Sequence, residues 1–330
     1  MRLGFIGGWG HHYLRGLVSD ASRPCNLAVA SDTHDAEAAK RLAASLGQVQ
    51  WSDDPQHMLD RFRPDYVSVG AVYGYNADMI ALALERAIPT VSDKPIAASW
   101  SQLDRIKSLL DGTDRVLLTE FDFRSRATFR AARQAVAAGH IGDVVLATAQ
   151  KSYKWGSRPA WYADRQAYGG TMLWIASHGI DAIRFTTGKR FLRVSARHGN
   201  LSHPDYGSAE DHTAAMFELE GGATGLVHAD FLRPAAAPTH GDDRLRIAGS
   251  KGVIEIRDNR CVLLTHDQPP ADITDSASPQ PIHTELLAAL RRESTDLYST
   301  AWSLELAAVM LAARDAADTG QPVAIAADFV

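Results

Sequence analysis

Thr90-Val91-Ser92-Asp93-Lys94-Pro95 is the stretch on which the reading of the fold turns. Apolar Tyr66 to Val72 precedes it and reads as a strand. Asp78 to Ala87, rich in alanine and leucine, reads as the helix that follows, and Ile88 to Val91 as the next strand, stopped at Asp93-Lys94-Pro95. Strand, helix and strand in that order make the unit of a parallel sheet. A lysine at the carboxyl end of such a strand stands where open α/β sheets bind ligands. Pro95 fixes its own φ and biases Lys94 towards extended backbone, so the ammonium is aimed with little freedom. The plainer alternative is a solvated turn lysine, which is the norm for the residue type.

Towards the N-terminus the same alternation continues. Arg2 to Ile6 reads as a strand, followed by Gly7-Gly8-Trp9-Gly10 and a helix from His11 to Val18. Leu27 to Ala30 is a second strand, Asp35 to Leu46 a helix capped by Gly47, Gln48 to Trp51 a third strand, and Pro55 to Arg61 a helix. Ser99 to Leu110 and Val116 to Thr119 close this half near residue 120. The pattern predicts a Rossmann-type, doubly wound parallel sheet over residues 1–120. Residues 121–330 follow another grammar. Ala127 to Ala138 is helical, Val144 to Lys151 a long strand, 152–170 irregular and aromatic, and Thr171 to Phe185 an apolar helix. Six strand-like runs separated by turn signals then lie between Arg193 and Thr265, and helices at His283–Arg292 and Ser299–Thr319 finish the chain. This predicts an α+β domain with a largely antiparallel, open-faced sheet.

The 330 residues carry a net charge of −5 and are 45% hydrophobic, so two domains with sizeable cores are expected and no basic surface for nucleic acid or anionic membrane. Two cysteines, Cys25 and Cys261, in unrelated contexts suggest no disulfide framework and a reducing compartment. No apolar run reaches the ~20 residues of a membrane span and the N-terminus enters a strand directly, so a soluble cytoplasmic protein is expected.

Two features of the first half point to a dinucleotide. Bare glycine backbone between a first strand and a first helix lets N–H groups approach a pyrophosphate. Gly7, Gly8, Trp9 and Gly10 are the candidates, although Tyr13 stands at the third glycine of the G-x-G-x-x-G spacing. Asp32 ends the second strand roughly 22 residues after Gly10, where the dinucleotide fold places a carboxylate on the ribose hydroxyls. A carboxylate there repels a 2′-phosphate and favours NAD over NADP. The alternative for Asp32 is a helix N-cap, a role that Ser31 and Thr33 also suit. His11 and His12 lie beside the loop without a third ligand at metal spacing, so no metal is proposed.

With this half, the Asp93-Lys94-Pro95 turn, and Gly169-Gly170 ahead of an apolar helix containing His178-Gly179-Ile180-Asp181, the chain resembles the Gfo/Idh/MocA oxidoreductases, relatives of glucose-fructose oxidoreductase and inositol dehydrogenase. Gly142-Asp143 and Gly249-Ser250-Lys251-Gly252 extend the resemblance over nearly the whole chain. It implies a nicotinamide cofactor and reversible oxidation of a hydroxyl on a sugar, cyclitol or similar small polyol. It implies that Lys94 contacts substrate and cofactor, where a cation stabilises a forming alkoxide. His178 inherits the role of general base, with a pKa range suited to it, and Asp181 is its acidic companion. Asn76 matches a family histidine and serves first as an N-cap. Arg124 matches a family arginine that anchors substrate, or else it pairs with Asp122.

One departure stands out. The family's aspartate one turn before the histidine is here Trp174. An indole offers one N–H and an apolar face, so either the substrate is less polar or stacks on Trp174, or Asp164 or Tyr162 supplies the polar group, or redox activity is lost. The expected site is thus Lys94 and His178 as catalytic residues; Gly7, Gly8, Trp9, Gly10, Asp32 and Lys94 for NAD; and Tyr162, Trp174, Asp181 and Arg124 towards a substrate held between the domains. A homodimer or homotetramer packed on the open sheet face is expected. Two other classes stay open: a hydrolase or lyase that retains NAD and works by transient oxidation, and a non-catalytic NAD- or sugar-binding protein.

Overall fold

The computed structural model describes all residues except 21–23, 294–296 and 327–330. The chain divides into two compact units. The first comprises Met1–Glu120, Gln166–Gly169 and Pro281–Ala307; the second comprises Phe121–Arg165, Gly170–Gln280 and Ala308–Val330.

Among the described residues the first unit holds six parallel strands in the order β3-β2-β1-β4-β5-β6: β1 (Arg2–Ile6), β2 (Asn26–Ala30), β3 (Gln50–Ser52), β4 (Tyr66–Val69), β5 (Thr90–Ser92) and β6 (Leu117–Thr119). The doubly wound sheet expected from the alternation is therefore present. Its chain reversal lies between β1 and β4, the switch point at which such sheets bind ligands. Register fixes what meets there. Ile6 pairs with Ala30 and Val69, Val69 with Ser92, and Ser92 with Thr119. The residues that follow these ends, Gly7, Ser31, Gly70, Asp93 and Glu120, consequently line one rim. The intervening helices are α1 (Ala36–Leu46), α2 (Pro55–Phe62), α3 (Asn76–Glu85) and α4 (Trp100–Leu110), capped at their starts by Asp35 in α1, Asp54 in α2 and Ser99 in α4. Leu3, Phe5, Leu27, Val29, Val91 and Leu118 form the core, against which Leu286, Leu287 and Leu290 pack from the late segment Pro281–Ala307.

Two expectations in this unit need correction. The predicted helix His11–Val18 is a 3-10 helix, Tyr13–Ser19, because His12 adopts left-handed backbone at φ 46 and interrupts any α-helical entry. Its two buried residues, Leu14 and Leu17, are three apart, the repeat of a 3-10 turn. The strand predicted to Val72 ends at Val69, because side chains take the next amides: Ala71 N donates to Asn76 Oδ1 at 2.9 Å and Val72 N to Asp32 Oδ2 at 2.7 Å.

The second unit carries α5 (Ala127–Ala137) and a nine-stranded sheet of order β14-β13-β12-β11-β7-β10-β9-β8-β15 among the described residues. Its strands are β7 (Val144–Tyr153), β8 (Phe191–Gly199), β9 (His212–Leu219), β10 (Thr224–Asp230), β11 (Gly241–Gly249), β12 (Gly252–Arg257), β13 (Arg260–Thr265), β14 (Ala271–Asp272) and β15 (Val323–Ala324). The pairings are antiparallel except β7 with β10. Burial alternates along β9, while Val145, Leu192 and Met216 are exposed, so the sheet is half-buried as its sequence pattern requires. After one helical turn, α6 (Arg165–Tyr168), the predicted helix Thr171–Phe185 is two pieces, α7 (Thr171–Trp174) and α8 (Ala176–Thr187), divided at Ile175. Ser177 Oγ donates to Trp174 O at the break. Gly179 seats α8 on the sheet, since a Cβ there would lie 2.8 Å from Val227 Cγ1. The late helices are α9 (Ile282–Leu290) and α10 (Thr300–Thr319). No helix among the described residues is long and apolar enough to cross a membrane.

Candidate active site

The rim of the first sheet is built by close backbone approach. Gly7, at φ 80, would place a Cβ 2.3 Å from Gly70 O; Gly8 would place one 2.0 Å from the Ala38 carbonyl carbon; Gly10, at φ 74, 2.0 Å from Asp93 Oδ2. Any side chain at these positions displaces a neighbouring segment. Trp9 N donates to Gly70 O at 2.7 Å, and its indole N–H donates to Asp35 Oδ2 at 3.1 Å. The loop therefore presents bare backbone at the switch point, which suits a pyrophosphate, while a 3-10 turn stands where an α-helix was expected.

Asp32 is fully buried at the end of β2. Its Oδ1 accepts from His34 N at 3.0 Å and Asp35 N at 2.8 Å, and its Oδ2 from Val72 N. These backbone bonds make Asp32 an organiser of the β2 and β4 termini.

Lys94 has a fully buried side chain. Its Nζ lies 2.7 Å from Asp93 Oδ1 and 3.2 Å from His11 Nδ1. The turn is anchored by Asn76, whose Nδ2 donates to Pro95 O at 3.0 Å, and the Lys94–Pro95 bond is cis. Burial alone would raise the Asp93 carboxyl, but Lys94 and His11 together outweigh it and hold Asp93 well below the usual range. Glu120, next along the rim, goes the other way: burial first, then the charge of Asp93, push it up to about 8. Glu120 Oε1 accepts from Tyr13 N at 3.0 Å. Sequence reasoning missed Glu120; the signal was its place directly after a parallel strand. His12 belongs to the core, its Nδ1 2.8 Å from Ser68 Oγ and its pKa lowered to about 4 by burial.

In the second unit His178 is buried on α8. Phe121 meets its ring edge-on at 6.1 Å and Phe123 lies at 5.3 Å. Its Nδ1 stands 3.7 Å from Asp122 Oδ1. Asp122, from the turn after β6, thus brings a carboxylate to the imidazole from another segment of the chain. Tyr162 is buried beneath Arg158, whose guanidinium lies 5.5 Å from its ring centre. Trp174 is buried too, with Tyr153 at 6.0 Å. Arg124 and Asp181, both expected to face substrate, are almost fully buried and paired with each other, Arg124 Nε to Asp181 Oδ1 at 3.0 Å. Burial raises the Asp181 carboxyl despite that pair. Asp122 Oδ2 instead accepts from Arg126 Nε at 3.0 Å; Arg126 pairs with Asp243 at 3.1 Å and Asp243 with Lys151 at 2.7 Å.

Comparison with known proteins agrees with this architecture. Residues 1–121 match the model of an oxidoreductase family with an NAD-binding Rossmann fold, and residues 129–255 match the GFO/IDH/MocA C-terminal domain. A scyllo-inositol 2-dehydrogenase (NAD(+)) of Bacillus subtilis is 24% identical over 76% of this chain and 71% of its own. A D-glucoside 3-dehydrogenase of Escherichia coli is 28% identical over 46% of this chain and 43% of its own. A solved Thermotoga maritima structure, assigned as an oxidoreductase, superposes with a TM-score of 0.90 at 30% identity, covering 98% of this chain and 100% of that one. A parallel sheet whose switch point is lined by bare glycine backbone, joined to an open-faced sheet with a histidine-bearing helix, thus places this chain in the Gfo/Idh/MocA family of NAD-binding oxidoreductases.

Proposed function

We propose that this chain is a dehydrogenase that oxidises a ring hydroxyl of a sugar, cyclitol or similar small polyol with NAD. The observation that carries the reading is Lys94, buried on the rim of the first sheet with its Nζ 2.7 Å from Asp93 Oδ1. A preorganised cation in a dry site stabilises an alkoxide far better than water does. Lys94 holds the reacting oxygen, and His178 removes its proton. Gly7, Gly8, Trp9 and Gly10 supply the bare backbone for the pyrophosphate, and the Asp32 charge disfavours a 2′-phosphate. NAD, when bound, supplies the hydride acceptor. The inositol and glucoside dehydrogenases among the relatives support a hydroxyl-bearing ring as substrate class. A cytoplasmic homodimer or homotetramer, packed through the face bearing Val145, Leu192 and Met216, belongs to the same reading.

The test is NADH formation, followed by absorbance, on a panel of inositols, glucosides and free sugars. Lys94→Ala is expected to lower turnover by about 10²–10³-fold with an unchanged circular dichroism spectrum. An unchanged rate sinks the assignment. Substrate consumption without NADH would point instead to an enzyme that retains its cofactor, and NAD binding without any turnover to a binding protein.

A further inference from the structure

The family position one turn before His178 holds no carboxylate, yet the imidazole is not left without one. We propose that Asp122 is the positioning residue for His178, holding its Nδ1 proton so that Nε2 is the atom that accepts the substrate proton. This rests on the reading of His178 as the base.

The geometry divides the Asp122 carboxylate between two partners. Oδ2 is taken by Arg126, so Oδ1 is the oxygen turned to Nδ1 at 3.7 Å. That distance exceeds a hydrogen bond, and such bonds commonly tighten only when substrate is bound. Asp122 is itself fixed. Arg126 is held between Asp122 and Asp243, and Asp243 is held by Lys151, giving alternating charges from a buried ammonium to the imidazole. Phe121 and Phe123 flank the ring, so it turns only within a narrow slot.

Other charged groups on the elements packed on α8 have contacts of their own. Arg124 and Asp181 satisfy each other, Asp230 on β10 accepts from Ser152 Oγ at 2.6 Å, and Arg133 of α5 lies over Phe185 further along the helix. Asp122 is the carboxylate that the ion-pair geometry brings to His178. When the imidazole accepts the substrate hydroxyl proton at Nε2, the new positive charge forms beside Asp122, which itself keeps its charge.

The test is ¹⁵N-histidine NMR of the full chain, with the His178 signals identified by their loss in His178→Gln, combined with kinetics of Asp122→Asn. In the wild type the neutral ring is expected to carry its proton on Nδ1; a proton on Nε2 overturns the proposal without any variant. Asp122→Asn removes the anion that favours imidazolium. His178 should then titrate about one pH unit lower, and the acid limb of kcat, where the base must be neutral, should move down with it. kcat should fall roughly 10- to 100-fold with KM for NAD unchanged. Asp122→Glu should recover part of the loss. An unmoved titration, or an unmoved kcat, overturns the proposal. Failure of the underlying reading shows separately, as full activity in His178→Gln; it removes the catalytic half of the proposal, while the tautomer still decides whether Asp122 holds the ring.

Discussion

Glu120 and Asp93 are carboxylates on neighbouring strand ends with opposite tendencies. Asp93 has a cation in contact and stays ionised; at Glu120 burial and the charge of Asp93 outweigh Lys94, the Tyr13 amide and Arg15, and push it up to about 8. An unfolded glutamate releases its proton near its ordinary 4.5. Between those values the native state binds more protons than the unfolded one, so this residue's contribution to stability is lost as pH rises through the window. Glu120→Gln, which mimics the protonated acid, should therefore gain on the wild type between pH 5 and pH 8.5. A difference of about 1 kcal/mol reads as roughly 2–4 °C in Tm. Parallel melting curves at all pH values would show that Glu120 is ionised in the folded protein. At this scale the sequence was partly legible: Lys94 and His178 stood out by type and position. The partners that Asp32, Arg124 and Asp181 meet were not legible, because a charged residue offers no sign in one dimension of which partner it meets after folding.

The glycine loop between β1 and the 3-10 helix shows how one element fixes a site. Gly10 holds left-handed backbone, and a Cβ there would run into the Asp93 carboxylate. Gly10→Ala costs about 1–2 kcal/mol for the backbone alone and pushes on the carboxylate paired with Lys94. Calorimetric titration should show weakened NAD binding together with a lower Tm; binding equal to the wild type would mean that the loop relaxes without moving Asp93. The loop's glycines were visible in the sequence, yet the element after them was not. The composition of His11–Val18 suits an α-helix, but left-handed His12 breaks the entry. A similar limit applies at Ile175, where hydroxyl competition by Ser177 and the seating of Gly179 on the sheet divide a segment whose apolar pattern is continuous.

For the whole molecule, a cofactor that binds only the folded chain stabilises it by mass action. NAD at 100 times its Kd should add about 2.7 kcal/mol and raise Tm accordingly, with a smaller rise for NADP. No shift with either would mean that the loop does not hold a dinucleotide at these concentrations. The sequence by itself determined the architecture: strand and helix alternation gave the parallel sheet, two-residue alternation gave the half-buried antiparallel one, and both follow from local hydrophobic period. Only the tertiary structure decided the partners. Strand register levels Gly7, Asp93 and Glu120 on one rim, and a turn after β6 brings Asp122 to a histidine on a distant helix. Those contacts join residues far apart in the chain, and no local period carries information about which remote charge will be buried beside which.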